Sequence, residues 1–261
     1  MRALATGATG MKAQELSIEV ISNNIANLST TGFKRSRAEF QDMLYENLRA
    51  VGSASSDTGT LLPSGLQVGL GVRPVATYRI NEQGSLSETD NTYDLAINGR
   101  GYFQVQMPDS TIAYTRDGSF QLNENGNLVT ADGLQVLPAI TVPSTATSIT
   151  INSSGQVLAT IPGQTNQQTL GQLQLATFIN QSGLNSIGNN LLQETQSSGS
   201  PTVGTPNVAG VGSLMQGELE SSNVDVVNEV TSLITAQRAY EMNSRVIKTA
   251  DDMLSTITQL K

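Results

Sequence analysis

Few side chains of this protein could do covalent chemistry. The sequence has no His and no Cys, so a Ser–His–Asp triad would lack its base and no thiolate nucleophile or thiolate metal site can be built. A GxSxG elbow and a Walker phosphate loop are also absent from the sequence. Among the 22 acidic residues, no pair stands out as the two carboxylates of a glycosidase. We therefore expect no catalytic residue, and a cell-wall hydrolase is an interpretation that nothing in the sequence favours.

One run of oxygen-bearing side chains resembles a calcium-binding loop. Gln121, Asn123, Asn125 and Asp132 fall at positions 1, 3, 5 and 12 of such a loop, and Gly126 falls at position 6. Position 1 carries no charge and position 12 lacks the bidentate Glu, so the loop would hold a cation weakly. A hairpin turn is the favoured interpretation, and we expect neither a metal nor a cofactor.

The charge balance argues against two kinds of partner. The chain has 14 basic and 22 acidic residues, a net charge of −8, whereas binding to nucleic-acid phosphates or anionic lipid requires a basic surface. No window is long and apolar enough to span a bilayer, and the N-terminus lacks the apolar segment of a secretory signal. We expect no nucleic-acid partner, no membrane insertion and no cleavable signal peptide.

The elements that would position a binding surface are patterned most clearly at the two ends of the chain. Apolar residues recur there every seven positions, which places one narrow stripe on each helix, as in the seam of a coiled coil. Ordinary amphipathic helices packed on a globular domain are the alternative. The predicted seam consists of Leu4, Met11, Ile18, Ile21, Ile25 and Leu28 at the N-terminus, and of Val226, Leu233, Tyr240, Ile247, Leu254 and Ile257 at the C-terminus.

Two glycines weaken the N-terminal helix. Gly7 and Gly10 each cost about 1 kcal/mol of helix stability, so this helix needs a partner. The C-terminal stripe is the obvious partner, since no other heptad run occurs in the chain. The C-terminal helix has a recognisable start, because Ser222 and Asp225 have the spacing of a capping box.

Between the helices the pattern is typical of short β-strands. Turn dipeptides that tolerate positive φ, such as Asn98-Gly99 and Asp117-Gly118, separate alternating apolar segments. The predicted fold class is α+β, with terminal helices pairing as a coiled coil and an inserted, mainly antiparallel β domain. The predicted domains are 1–35 with 217–261 for the helices, 36–72 for an extended stretch, and 73–216 for the β-rich part.

The segment after the N-terminal stripe carries the most specific motif. Residues 24–34 read NIANLSTTGFK, which resembles the NxANxxTxGFK signature of the bacterial flagellar rod and hook (axial) protein family. The amide and hydroxyl side chains can bond free groups at a helix end, and Gly32 can adopt a left-handed conformation that closes the helix. An ordinary helix stop would use the same residue types, so the specificity lies in the whole string. The matched positions are Asn24, Ala26, Asn27, Thr30, Gly32, Phe33 and Lys34.

Further segments resemble the same family, and the likeness covers nearly the whole chain. They are SNVD at 222–225, QRAYE at 237–241, DLAINGRGYF at 94–103 and YTRDGSF at 114–120. The chain has no room for the extra outer domain that hook proteins usually carry. Residues 62–79, LPSGLQVGLGVRPVATYR, are similar to a stretch of the distal-rod branch of the family.

The resemblance implies a structural protein and not an enzyme. It implies a distal-rod subunit that polymerises into a straight, stiff, hollow drive shaft and transmits torque from motor to hook. The implied partners are copies of the same chain, neighbouring proximal rod and hook proteins, basal-body ring proteins and the flagellar type III export apparatus. The implied location is the periplasmic basal body. A proximal rod or hook protein is the alternative within the family, and a phage-tail or adhesin-like β protein is a less favoured one outside it.

Overall fold

The chain folds into two compact units, each built from segments that are distant in sequence. The computed structural model describes residues 2–49, 64–163 and 166–259, apart from the side chains of residues 257 and 259. The first unit draws on Met1–Ile25, Ser36–Tyr78 and Asp225–Lys261, and the second on Ala26–Arg35 and Arg79–Val224.

The first unit contains the two long helices and four strands. Helix α1 spans Arg2–Ala26, and helix α2 spans Val226–Gln259. At 1.5 Å per residue they are about 37 and 51 Å long. Within the described residues, neither combines its length with enough apolar character to cross a membrane. Strand β1 (Ser36–Asp42) pairs with β4 (Val72–Arg79), and β2 (Tyr45–Arg49) pairs antiparallel with β3 (Leu66–Gly69).

Helices α1 and α2 lie side by side and run in opposite directions. A Cβ atom on Gly7 would lie 3.0 Å from Cγ1 of Ile247, near the far end of α2. Asn24, at the other end of α1, donates from Nδ2 to Oε2 of Glu229 at 3.2 Å. Because a higher number on α1 meets a lower number on α2, the alignment is antiparallel.

The first unit has a small apolar core. Its buried apolar side chains, among the residues described, are Ala13, Ala236 and Ala250. One methyl group contributes little, since burial stabilises by about 0.8 kcal/mol per CH₂. Many larger apolar side chains are instead exposed, which is unusual for a surface with no partner. They are Leu44, Tyr45, Leu48, Leu66, Leu70, Val75, Val226, Val227, Val230, Ile234, Tyr240, Met242, Val246 and Met253.

The second unit is a β domain whose strand pairs are antiparallel. Its strands are β5 (Leu86–Glu88), β6 (Leu95–Asn98), β7 (Tyr102–Gln106), β8 (Ile112–Thr115), β9 (Gln121–Leu122), β10 (Leu128–Val129), β11 (Gln135–Leu137), β12 (Ser148–Ile151), β13 (Gln156–Thr160), β14 (Gln168–Gln172), β15 (Leu175–Thr177), β16 (Asn185–Gly188), β17 (Leu191–Gln193), β18 (Thr202–Gly204), β19 (Ser213–Gln216) and β20 (Glu218–Glu220). A nine-stranded sheet follows the order β16-β17-β8-β7-β11-β10-β9, with β15 pairing both β7 and β18, and β12-β13-β14 form a separate sheet. Two further pairs join β6 to β19 and β5 to β20.

This β domain has its own hydrophobic core. Phe103 and Phe120 pack edge to face with ring centres 4.9 Å apart, and a second cluster gathers Tyr102, Tyr114 and Phe178. Full burial of one such side chain stabilises by about 1.5–3 kcal/mol, so the second unit is the better-packed part of the chain. The main cluster consists of Leu95, Ile97, Phe103, Phe120, Leu128, Val136, Ile140, Ile151, Val157, Leu173, Leu175 and Leu214.

The predicted fold class is confirmed in its coarse form. Helices lie near both ends of the chain, and a mainly antiparallel β domain lies between them. The hairpin interpretation of residues 121–132 is also confirmed, because β9 and β10 pair antiparallel across the turn. The boundaries 1–35 with 217–261, 36–72 and 73–216 stay a prediction, and residues 50–63 of the extended stretch lie outside the described residues.

Candidate assembly site

The motif of residues 24–34 turns the chain out of α1 and into the second unit. α1 ends at Ala26, and the Thr30 hydroxyl donates to the side-chain oxygen of Asn27 at 3.2 Å. Gly32 has φ +66°, so its predicted left-handed conformation is confirmed. Its predicted role as the residue that closes the helix is wrong, because α1 has already ended and Gly32 closes the turn that follows.

The backbone at Gly32 leaves no room for a side chain. Its N–H donates to the carbonyl of Glu220 at 2.7 Å. A Cβ atom at Gly32 would lie 2.8 Å from both the carbonyl carbon of Arg116 and the nitrogen of Asp117. Real Cβ atoms essentially never come that close to another backbone, so this turn requires glycine.

A cluster of three buried charges lies next to this turn. Lys34 is 8% exposed and forms an ion pair with Glu220, which is 2% exposed. Arg116 is buried with its Nε atom 3.5 Å from Oε2 of the same carboxylate. Lys34 Nζ also donates to the Glu82 carbonyl at 2.7 Å, and Gly84 N–H donates to Oε1 of Glu220 at 3.0 Å. One carboxylate therefore compensates two cations that come from different parts of the chain.

Burial and neighbouring charges act against each other at this cluster. Burial lowers the pKa of Lys34, the Glu220 carboxylate partly offsets that effect, and Arg116 adds to the lowering. The Arg116 guanidinium donates to the Gly99 carbonyl at 2.8 Å and lies 5.7 Å from the ring centre of Tyr102. Removing one partner of a buried ion pair typically costs about 3–5 kcal/mol, because it leaves a buried charge uncompensated, so the three charges depend on one another.

Asn223, in the SNVD segment, ties the motif to the return of the chain. Its side-chain oxygen accepts from Arg35 N–H at 2.7 Å, and its Nδ2 donates to the carbonyls of Ile80 and Glu82 at 2.8 and 3.0 Å. The amide thereby uses one acceptor and both donor hydrogens. The motif of residues 24–34 and the SNVD segment thus meet in one hydrogen-bonded junction, centred on Asn223.

The start of α2 differs from its prediction. Asp225 accepts from the N–H groups of Val227 and Asn228 at 2.9 and 3.4 Å, which makes Asp225 the N-cap residue. Ser222 instead accepts from Val224 N–H at 3.4 Å, before the helix begins. The predicted capping box that begins at Ser222 is therefore wrong.

The structure places the predicted seam residues at intermediate depth. In α1 and the turn after it, all six are half-buried; in α2, Val226 and Tyr240 are 43% and 41% exposed, and Leu233, Ile247 and Leu254 are half-buried. The side chain of Ile257 lies outside the described residues. Their role as an assembly interface stays a prediction. Of the motif residues, Asn24 and Lys34 are buried, Ala26 is exposed, and Asn27, Thr30, Gly32 and Phe33 are half-buried.

The deepest helix positions are Gly7, Ala13 and Asn24 in α1, and Glu229, Ala236 and Ala250 in α2. Ala236 and Ala250 fall three residues after Leu233 and Ile247, in phase with the predicted seam, and Asn24 belongs to the signature motif. The repeat of large apolar residues does not mark Gly7, Ala13 or Glu229. The signal that could have found Glu229 is its spacing, since it precedes Ala236 by seven residues and Ala250 follows in the same phase.

Three family models match the chain. "Flagella basal body rod protein" matches residues 4–34, "Flagellar hook protein FlgE/F/G D1 domain" matches 96–159, and "Flagellar basal body rod FlgEFG protein C-terminal" matches 215–260. Named relatives match over the full length. The flagellar basal-body rod protein FlgG of Caulobacter vibrioides is 54% identical over 261 residues, covering 100% of both chains.

More distant relatives show the same extent of match. FlgG of Borreliella burgdorferi is 46% identical over 263 residues, covering 100% of this chain and 99% of the relative. The flagellar hook-basal body complex protein FlhP of Bacillus subtilis is 31% identical over 274 residues, covering 100% of both. Because the similarity spans the junction, the β domain and both helices, the chain belongs to the flagellar basal-body rod protein family.

Proposed function

We propose that the chain is a structural subunit of the flagellar distal rod and that it acts by polymerising, without enzymatic activity. The observation that carries the proposal is the full-length identity to basal-body rod proteins named FlgG, at 54% and 46% for the two relatives described above. Because every segment of the chain has its counterpart in those proteins, the same axial role is the most economical assignment.

The unequal packing of the two units supports a polymer subunit. The β domain has a core of large apolar side chains, whereas the buried apolar residues described in the helical unit are three alanines. Exposed valine, leucine and methionine side chains on α2 and on strands β2 to β4 would become buried only against other subunits. Assembly then stabilises the helix pair further, because these exposed apolar side chains become buried against neighbouring subunits.

The proposal extends to a finer architecture, which the resemblance to the family supports. The seven-residue stripes of α1 and α2 pair as a coiled coil, and these pairs line the inner tube of a hollow rod. The β domain forms the outer tube, and residues 36–72 bridge to adjacent subunits and stiffen the shaft. The rod transmits torque from motor to hook. It contacts proximal rod, hook and ring proteins in the periplasm, which the chain reaches through the type III export apparatus.

Replacement of one seam residue tests the proposal. Ile247→Asp places a charge where α2 faces Gly7, whereas Ile179→Asp makes the same replacement at a β-domain side chain that is 91% exposed. Each variant is expressed in a strain that lacks the gene, and basal bodies are isolated and viewed by electron microscopy. Ile247→Asp is expected to give basal bodies that lack the distal rod and hook, and Ile179→Asp is expected to give complete ones.

Circular dichroism of the purified variants provides the folding control. Ile247→Asp should keep the β signal, because the core residues described for the second unit all lie outside α2. Complete rods built from Ile247→Asp subunits would show that assembly does not depend on the helix pair. A strain without the chain that still builds a hook on a full-length rod would contradict the distal-rod assignment itself.

A further inference from the structure

A buried polar contact interrupts the helix pair of the first unit. Asn24 is 1% exposed and donates to Glu229, which is 8% exposed, across the two helices. The Asn24 amide is otherwise fully used, because its oxygen accepts from Ser36 N–H at 2.8 Å and its nitrogen donates to the Ser36 carbonyl at 2.9 Å. The two bonds to Ser36 therefore fix the position of Asn24 without α2, and the alignment of α2 decides whether Glu229 can reach it.

Two glycines set the alignment at the other end of the pair. A Cβ atom on Gly7 would lie 3.0 Å from the side chain of Ile247, and one on Gly10 would lie 2.8 Å from the side chain of Asn243. The side chains of Ile247 and Asn243 on α2 thus occupy space that is open because Gly7 and Gly10 on α1 have no side chain. In an antiparallel pair, one residue number rises as the other falls, so a constant sum of the two numbers marks a constant alignment. The contacting residues here have numbers that add to 253 or 254 at both ends of the helix pair. One alignment therefore extends from Gly7 to Asn24.

A stripe that repeats every seven residues does not by itself select this alignment. Sliding one helix by seven residues along the other returns the same stripe to the same face. We propose that the Asn24–Glu229 contact is a register lock, which selects the observed alignment of α1 and α2 over those shifted by one heptad. The close fit of the Ile247 side chain against Gly7, which has no side chain, favours the same alignment. The inference concerns the alignment within one chain and does not depend on the proposed function.

A shift in one direction removes both parts of the lock. Asn24 would face Ala236, which has no side-chain acceptor, and Glu229 would lie beyond the end of α1 at Ala26. Ile247 would face the long side chain of Gln14 in place of Gly7, where even a single Cβ atom would lie only 3.0 Å from Ile247. Buried polar groups without partners and overpacked side chains both disfavour a state.

A shift in the other direction shortens the pair. Ile247 would lie beyond the start of α1 at Arg2, so one heptad of contact would be lost. Asn24 would face Ser222, which precedes the start of α2 at Val226. The polar contact therefore forms in one alignment of the three.

The absence of cysteine from the sequence allows the alignment to be read by disulfide formation. One heptad along from the Gly7–Ile247 contact, the observed alignment places Gln14 opposite Tyr240, so Gln14→Cys with Tyr240→Cys reports that alignment. Ile21→Cys with Tyr240→Cys reports the first shift. Seven helical residues span about 10 Å, which exceeds the reach of a disulfide, so each pair reports its own alignment.

The full-length chain carrying each cysteine pair is oxidised at low concentration, and the intramolecular product is measured on non-reducing gels. With Asn24 and Glu229 intact, the shifted pair is expected to give at least about tenfold less product than the observed-alignment pair. Glu229→Leu is expected to raise the yield of the shifted pair severalfold, and adding Ile247→Ala should raise it further. Glu241→Leu, which removes an exposed acid from the same helix, is the matched control and should change nothing.

Each result bears on the register lock. A shifted product that appears with Glu229→Leu but not with Glu241→Leu supports it. A shifted product that stays at the starting level in both Glu229→Leu backgrounds overturns it, because other contacts would then select the alignment. Equal yields of the two products before any lock residue is changed would also overturn it.

Discussion

Gly32→Ala is expected to destabilise the β domain far more than the same substitution at another left-handed glycine. Gly32 has φ +66°, and Gly133 has φ +81° in the same unit. A Cβ atom at Gly32 would lie 2.8 Å from the backbone of Arg116 and Asp117, whereas one at Gly133 would have no neighbour within 4 Å. The two variants therefore share the cost of the backbone conformation and differ in the clash.

The size of the difference follows from these two contributions. A left-handed conformation costs an alanine roughly 1–2 kcal/mol, and this is the whole expected effect at Gly133. Overpacking against a backbone that cannot move freely adds about 1–3 kcal/mol at Gly32. The free energy of unfolding should thus fall by about 1–3 kcal/mol more for Gly32→Ala, which is roughly a 5- to 150-fold difference in the unfolding equilibrium constant.

Urea denaturation followed by tyrosine fluorescence measures this difference, because the chain contains no Trp and Tyr102 and Tyr114 lie in the core of the β domain. Similar m-values for the two variants would show that the same unit unfolds in both. Equal losses of stability, within about 0.5 kcal/mol, would mean that the turn at Gly32 is not held against the Arg116 backbone in solution. The account of the junction would then be wrong.

Three further changes test the junction and the core. Glu220→Gln leaves two buried cations without their anion and should lower the free energy of unfolding, measured in urea, by about 3–5 kcal/mol. Glu218→Gln is the control, and a loss for Glu220→Gln no larger than that of the control would contradict the buried cluster. Asn223→Ala removes three hydrogen bonds and should cost about 1–3 kcal/mol in thermal unfolding, so an unchanged Tm would argue against the junction. Burial raises the pKa of Tyr114 to about 12, whereas the pKa of a tyrosine in the unfolded chain is near 10. The unfolded chain therefore loses the Tyr114 hydroxyl proton at a lower pH than the folded chain does. Stability should therefore fall as the pH rises from about 10 towards 12, and Tyr114→Phe should weaken that fall in urea titrations at several pH values.

The sequence pattern located the helices better than it located their contacts. Seven-residue repeats of large apolar side chains predict both helices, because such a periodicity is a property of the element itself. Which residues lie deepest depends on how closely the two backbones approach. Gly7 was predicted as a weakness of α1, yet its missing side chain is what admits Ile247. The interhelical distance is a tertiary property, so the repeat alone does not specify it.

The junction shows the same limit over a longer range. Resemblance to the family signature identified Lys34 and Gly32, but Glu220, which contacts both, carries no local mark. An ion pair between residues 186 positions apart leaves no periodicity in the sequence. At α2, spacing alone could not decide between Ser222 and Asp225 as the cap, because that choice depends on where the backbone becomes helical.

The separation of Lys34 from Glu220 also has a kinetic consequence. A separation of 186 positions gives this part of the β domain a high contact order, and such topologies fold in milliseconds to seconds once the chain is complete. A ribosome that adds 5–20 residues per second needs about 10–40 s to make that intervening segment. Throughout that time the signature motif has no carboxylate to compensate its lysine, and the loop that joins them cannot close. The contact between the motif and Glu220 therefore forms only after residue 220 has been made, so this part of the β domain is completed late in synthesis or after it.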